Sequence, residues 1–299
     1  MWYCSTSRKV SHGTLTPMLT VIFASTTAAL FGVGDFLGGA ASRKDSAIAV
    51  TANAHLVGVV LFAIALVAFP APLVMSDIYA GIAGGLGGGL GVTALYAALA
   101  RGRMSVVAPL TAALSGSLPA LYDFMTGTSV GTLPLVGLGL AFVATIVVSA
   151  TSTSEEPDGS RSLPPAALVL SILAGIGFSG SFLSFSFAGD AAGFWPLATA
   201  RLTSFLILAA ATLIGRRRFG VAAVVRRETY GAGLLDAAAN VTMINAIRLG
   251  PLAVASVLGS LYPVVTVMLA RFVLHEHLRP VQRAAIALAL TAVVLSSAG

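Results

Sequence analysis

Residues 240–278 read NVTMINAIRLGPLAVASVLGSLYPVVTVMLARFVLHEHL. The stretch predicts two apolar helical segments joined by a tight turn at Leu249-Gly250-Pro251, where glycine and proline interrupt the run. A polar punctuation follows at His275-Glu276-His277. A diluted copy lies in the first half, residues 94–123, ALYAALARGRMSVVAPLTAALSGSLPALYD. Arg101 and Arg248 stand 147 residues apart, and the same shift sets Val107-Ala108 on Val254-Ala255 and Leu114 on Leu261. Upstream, a shift of 146 sets Gly34-Asp35-Phe36-Leu37 on Gly180-Ser181-Phe182-Leu183, and Ala52-Asn53-Ala54-His55-Leu56 on Ala198-Thr199-Ala200-Arg201-Leu202. Two separate alignments at nearly one shift predict a duplicated unit half the chain long. That period is too long for a solenoid and fits a half of five membrane helices.

Composition agrees. Hydrophobic residues make up 57% of the chain and charged ones 9%, with a mean hydropathy of +0.94. A soluble domain carries roughly 25% charged residues, so water is not the main solvent for this surface. The single cysteine, Cys4, excludes an intrachain disulfide and any cysteine-based metal or cluster site. The net charge of +6 comes from basic residues in short loops between apolar runs, which is a membrane-topology signal and not a nucleic-acid footprint.

Residues 1–17 are polar and irregular, without the apolar core or cleavage site of a signal peptide, and are expected to form a disordered tail, with translation starting at Met18. Ten apolar runs follow: Met18–Ala41, Ala47–Phe69, Ile78–Ala100, Met104–Phe124, Thr132–Ala150, Ala166–Ala188, Ala192–Ile214, Tyr230–Arg248, Leu252–Leu274 and Val281–Ala298. At ~1.5 Å of rise per residue, each can cross a hydrocarbon core ~30 Å thick. The acidic, turn-rich stretch 151–165 is the natural linker between a first unit, 18–150, and a second, 166–298. An odd number of spans per unit turns the second upside down. The expected fold is therefore an all-α membrane protein, ten transmembrane helices in two inverted five-helix repeats. Thirteen of the seventeen lysines and arginines fall on the face reached by the odd-numbered spans, and Arg8, Lys9 and Arg248 on the other. Positive charge prefers the cytoplasm, which places both termini outside. Within span three, Gly81, Gly85 and Gly89 recur every four residues and form a smooth stripe for close helix contact. Gly89-Leu90-Gly91 is not a dinucleotide fingerprint, because no strand precedes it.

The series Ala253-x-Ala255-x-x-x-Gly259-x-Leu261-Tyr262-Pro263, followed by Glu276 after span nine, resembles the drug/metabolite transporter superfamily, specifically proteins with two tandem EamA-type domains. The resemblance covers Met18 to Ala298. His275 stands where that family has a glycine before the glutamate. In the first half the proline expected at Gly116 is shifted to Pro119, and Gly127-Thr128-Ser129 replaces the glutamate. Arg201 falls where the family often carries arginine in the second helix of a repeat, and His55 takes that place in the first. The resemblance implies inverted five-helix repeats, a central cavity lined by both halves, and alternating access.

An ionisable group at mid-span costs about 2.5 kcal/mol or more and faces the bundle interior or a wet cavity. Four lie there: Asp35, His55, Arg201 and Asp236. Asp35 and His55 flank the first connection at nearly equal depth, so they are expected to meet as a carboxylate–imidazole pair that either carries a proton or fixes the first hairpin. The repeat places Ser181 and Arg201 at the corresponding site. Arg201 cannot lose its proton, so it either meets a substrate anion or pairs permanently with Asp236, which shares a helix face with Asn240. Asn245, Tyr96 and Tyr262 add hydrogen-bonding capacity near the repeat turns. Gly259 and Pro263 are the expected hinge, since proline removes a helix hydrogen bond. His275 and His277 lack a third metal ligand nearby.

The expectation is a multi-pass carrier of the inner or plasma membrane, moving a small metabolite, amino-acid-like or drug-like, by alternating access. Its partners are that substrate, the lipid bilayer and protons. No enzyme activity, cofactor, metal or nucleic acid is called for. Competing readings are a passive pore, a non-transporting scaffold, and an intramembrane serine protease using Gly177-Phe178-Ser179-Gly180. The last lacks a histidine base at depth in the second half.

Overall fold

The computed structural model describes residues 15–127, 164–216 and 218–274, together with isolated positions between 132 and 143 and between 280 and 291. Among the described residues all regular structure is helical. The helices are α1 (Leu15–Ser42), α2 (Ala47–Ala68), α3 (Met75–Arg101), α4 (Met104–Met125), α5 (Pro165–Ser186), α6 (Trp195–Ile214), α7 (Arg226–Leu249), α8 (Leu252–Gly259) and α9 (Tyr262–Val273), with a 3₁₀ turn at Ala223–Val225 before α7. The spans expected at Thr132–Ala150 and Val281–Ala298, the bulk of the linker and of the N-terminal tail, and His275-Glu276-His277 lie outside the described residues.

Among the described residues, seven helical stretches are long and apolar enough to cross a membrane: α1 to α6, and α8 with α9 taken together. Three details differ from the expected spans. First, α1 begins at Leu15 and not at Met18, because Pro17 sits in the first turn, where a missing N–H costs nothing. Second, α7 is long enough at 24 residues but is not among the seven, since Asp236, Asn240 and Asn245 lower the hydropathy of its apolar stretch. Third, the ninth span is two helices. α8 ends at Gly259, and Pro263 in the first turn of α9 cannot extend a hydrogen-bond ladder back across Ser260-Leu261.

The long-range packing runs mostly between the halves. α1 lies antiparallel on α7: Thr27 bonds Thr242 at 2.7 Å, and Gly34 abuts Ala232 and Leu235. α3 lies antiparallel on α5, where Gly87 and Gly91 meet Gly177 backbone to backbone. The glycine stripe of α3 is seated on α6: Gly81 against Pro196 and Thr199, Gly85 against Ala200, Gly89 against Ser204. No side chain fits in these seams, so van der Waals contact between backbones replaces the hydrophobic drive that lipid cannot supply. A matching seam joins α2 to α7, where Gly233 abuts the backbone of Ala54 just as Gly85 abuts that of Ala200.

Candidate functional site

The mid-depth polar residues meet where α2, α6 and α7 converge. Arg201 of α6 is ion-paired through Nη2 with Oδ2 of Asp236 on α7, at 2.5 Å. Its Nη1 lies 3.1 Å from His55 Nε2 on α2. An arginine can only donate, so Nε2 accepts and the imidazole is the Nδ1–H tautomer. That N–H is directed at Ser204 Oγ, 2.8 Å away, and Ser204 donates in turn to the Arg201 carbonyl at 3.1 Å. A closed ring of hydrogen bonds thus holds the guanidinium, with His55 neutral. Asn240, one turn along α7 from Asp236, donates to the Asp236 carbonyl at 2.8 Å and to its Oδ1 at 3.3 Å. Gly58 makes room for the aliphatic stem of Arg201, whose Cγ and Cδ occupy the space a Cβ would need.

Arg201, Asp236, Asn240 and Ser181 line a narrow hollow between the halves, walled by the glycines of α3 and by Phe31, Phe178, Phe182 and Phe185. The hollow measures about 20 Å³, room for a water molecule and not for a metabolite.

Asp35 is 5% exposed. Among the described residues no hydrogen-bond donor reaches its carboxylate. It stands within electrostatic reach of Asp236, Tyr96 and Tyr262. The expected Asp35–His55 pair does not form. α1 packs on α7 and α2 on α6, so the first two helices are not neighbours through their depth. Tyr96 packs its phenol on Gly38, and Tyr262 donates to the Ala108 carbonyl at 3.4 Å. Asn245 bonds its own helix at Val241, 2.7 Å away, and does not reach the hollow. Gly259 and Pro263 flank the α8–α9 break, with Met243 close against Gly259. Ser179 donates to the Leu114 carbonyl at 2.7 Å, a packing bond between α5 and α4.

Ser204, Gly58 and the four phenylalanines were not singled out from the sequence. Ser204 could have been, since it follows Arg201 by three positions and shares its helix face. Phe31 and Phe182, with ring centroids 6.5 Å apart, carry no sequence signal that separates a wall from ordinary packing.

Seven apolar helical stretches around a buried ionic cluster define a multi-pass integral membrane protein. Residues 165–298 match the model of the EamA-like transporter family. A crystal structure of a protein superposes with a TM-score of 0.66 at 16% identity, over 94% of this chain and 95% of that one, a likeness of fold alone. No curated protein matches the chain.

Proposed function

We propose that the protein is a carrier that moves a small metabolite, amino-acid-like or drug-like, across the inner or plasma membrane by alternating access between two inverted five-helix repeats. The observation that carries this reading is the ionic cluster of Arg201, Asp236 and His55, buried at mid-depth on a hollow that both halves line. A permanent structural role would not require the cluster to border that space. The pairing of helices supports the inversion: α1 on α7 answers α3 on α5, α3 on α6 answers α2 on α7, and α4 on α5 answers α1 on α8 and α9. A hollow too small for substrate suits one stage of a carrier's cycle better than an open pore.

Ser181, Arg201, Asp236 and Asn240 make the first contact with substrate in this proposal, and Asp35, His55, Tyr96 and Tyr262 form the layer behind. Asp35 is the group that takes up and releases a coupling proton. Arg201 is ion-paired with Asp236, and Asp35 stands within electrostatic reach of Asp236. Gly259 and Pro263 are the hinge. A thermal-shift screen of metabolites on the purified protein, followed by flux of the best hit into proteoliposomes, tests the reading. Flux that saturates and accumulates against a gradient is expected; linear, non-accumulating flux would instead mean a pore.

A further inference from the structure

Two carboxylate-to-amide ties link the halves at the ends of the bundle. At one end Asp45, in the α1–α2 connection, accepts the Ala222 N–H of the α6–α7 connection at 2.8 Å. At the other end Asp77, in the first turn of α3, accepts the Gly189 N–H of the α5–α6 connection, also at 2.8 Å. A second bond accompanies each: Asn53 Nδ2 to the Phe219 carbonyl at 2.8 Å, and Trp195 Nε1 to the Ala71 carbonyl at 3.1 Å.

Both ties bridge the same seam, that between α2 and α6, where His55 meets Arg201 halfway down. Under a repeat shift of about 146 residues, the α1–α2 connection corresponds to the α5–α6 connection, and the α6–α7 connection to the α2–α3 junction. The two ties therefore join corresponding pairs of connections, with acid and amide exchanged. A backbone N–H held by a carboxylate is a charge-assisted bond. It can be given up to water at a membrane face, whereas the backbone seams at depth have no such alternative partner.

We infer that Asp45 and Asp77 are the two gate clasps of the hollow, one at each membrane face, each releasing while the other holds. The inference rests on the carrier reading for its purpose but not for its geometry. The hollow is reached from the Asp45 face when the Asp45–Ala222 bond breaks, and from the Asp77 face when the Asp77–Gly189 bond breaks.

The chain's single cysteine makes the test direct. In a Cys4→Ser background, Ser181→Cys places a thiol on the wall of the hollow. Its labelling rate with a membrane-impermeant maleimide is measured in right-side-out and inside-out vesicles, without substrate. Asp77→Ala is expected to raise the rate roughly tenfold or more from the Asp77 face alone, and Asp45→Ala from the opposite face alone. Ala222→Pro, which deletes the donor N–H at a residue whose φ of −58° already suits proline, reproduces Asp45→Ala. Asp77→Asn, keeping an oxygen but no charge, gives an intermediate rate at its own face. If either alanine variant fails to insert, these two carry the test on the same criterion. Equal acceleration from both faces, or none from either, overturns the clasps. Face-selective labelling in a protein that transports nothing would leave the clasps standing and remove the carrier reading; transport with unselective labelling would do the reverse.

Discussion

His55 and Arg201 stand 146 residues apart in the chain, the shift of the proposed repeat, and they touch, with Arg201 Nη1 at 3.1 Å from His55 Nε2. In the proposed inverted repeat, residues related by the two-fold axis can be neighbours only where the axis passes between them. The flanking contacts fit the same proposal. His55 reaches Ser204, and Arg201 lies against Gly58, the position 146 residues before Ser204. The second half supplies the charge through Arg201, and the first half supplies its acceptor through His55.

Removing the charge strands its partner. Arg201→Ala leaves Asp236 buried without a cation, which costs about 3–5 kcal/mol and lowers the unfolding midpoint of the detergent-solubilised protein. Transport falls to background. The pair Arg201→Met with Asp236→Leu recovers most of the stability, since the uncompensated charge is gone, but not transport. If the apolar pair transported at the wild-type rate, the cluster would be structural and the proposed substrate contacts would have to lie elsewhere.

The helical class and most of the span limits were legible because length and apolar composition decide them. The EamA resemblance was legible in the second half, where Tyr262-Pro263 and the small residues before them are intact. Tertiary choice of partner was not. Asp35 and His55 sit at similar depth on consecutive helices, yet each helix packs across the halves, so depth alone named the wrong neighbour. The break at Ser260-Leu261 falls between Gly259 and Pro263, the two residues expected to form a hinge, although the stretch around it reads as one apolar run.

The close seams give a prediction of symmetry. A Cβ at Gly85 would collide with the carbonyl of Ala200, and one at Gly233 with the carbonyl of Ala54. Neither backbone can yield without moving a helix. Gly85→Ala and Gly233→Ala should each destabilise by about 1–3 kcal/mol and by similar amounts. Gly180→Ala, with nothing within 4 Å of its Cβ, should be neutral or slightly stabilising. Unfolding midpoints of the three variants decide the matter; a large loss at Gly180 or none at Gly85 would mean that the helices are seated differently.

The stem of Arg201 makes a finer demand. A Cβ on Gly58 would lie 2.9 Å from Arg201 Cδ and 3.0 Å from its Cγ. Gly58→Ala therefore pushes the guanidinium along its own axis by a few tenths of an ångström while leaving every charge in place. Transport should fall by about tenfold through lost alignment, with little change in the unfolding midpoint. Equal activity in the alanine variant would show that the guanidinium position is not critical.

Asp35 offers the sharpest division between coupling and fold. Its carboxylate has no donor among the described residues, so Asp35→Asn removes a titrating group without breaking a bond that holds the bundle. From α7 it is faced by Asp236, from α3 by Tyr96 and from α9 by Tyr262, with Arg201 and His55 one step behind Asp236. Asp236 is committed to Arg201, and His55 keeps its Nε2 lone pair on the same guanidinium, so neither can trade a proton without opening the ring. Among the described residues of this cluster, Asp35 is the carboxylate that no donor engages. In proteoliposomes with an imposed pH gradient, wild-type flux should respond to the gradient, while Asp35→Asn transports at a rate independent of it and no longer accumulates substrate. Asp35→Glu, one methylene longer, should restore the response in part. A variant that kept full gradient-driven accumulation would transfer the proton to another group or leave the carrier driven by its substrate alone.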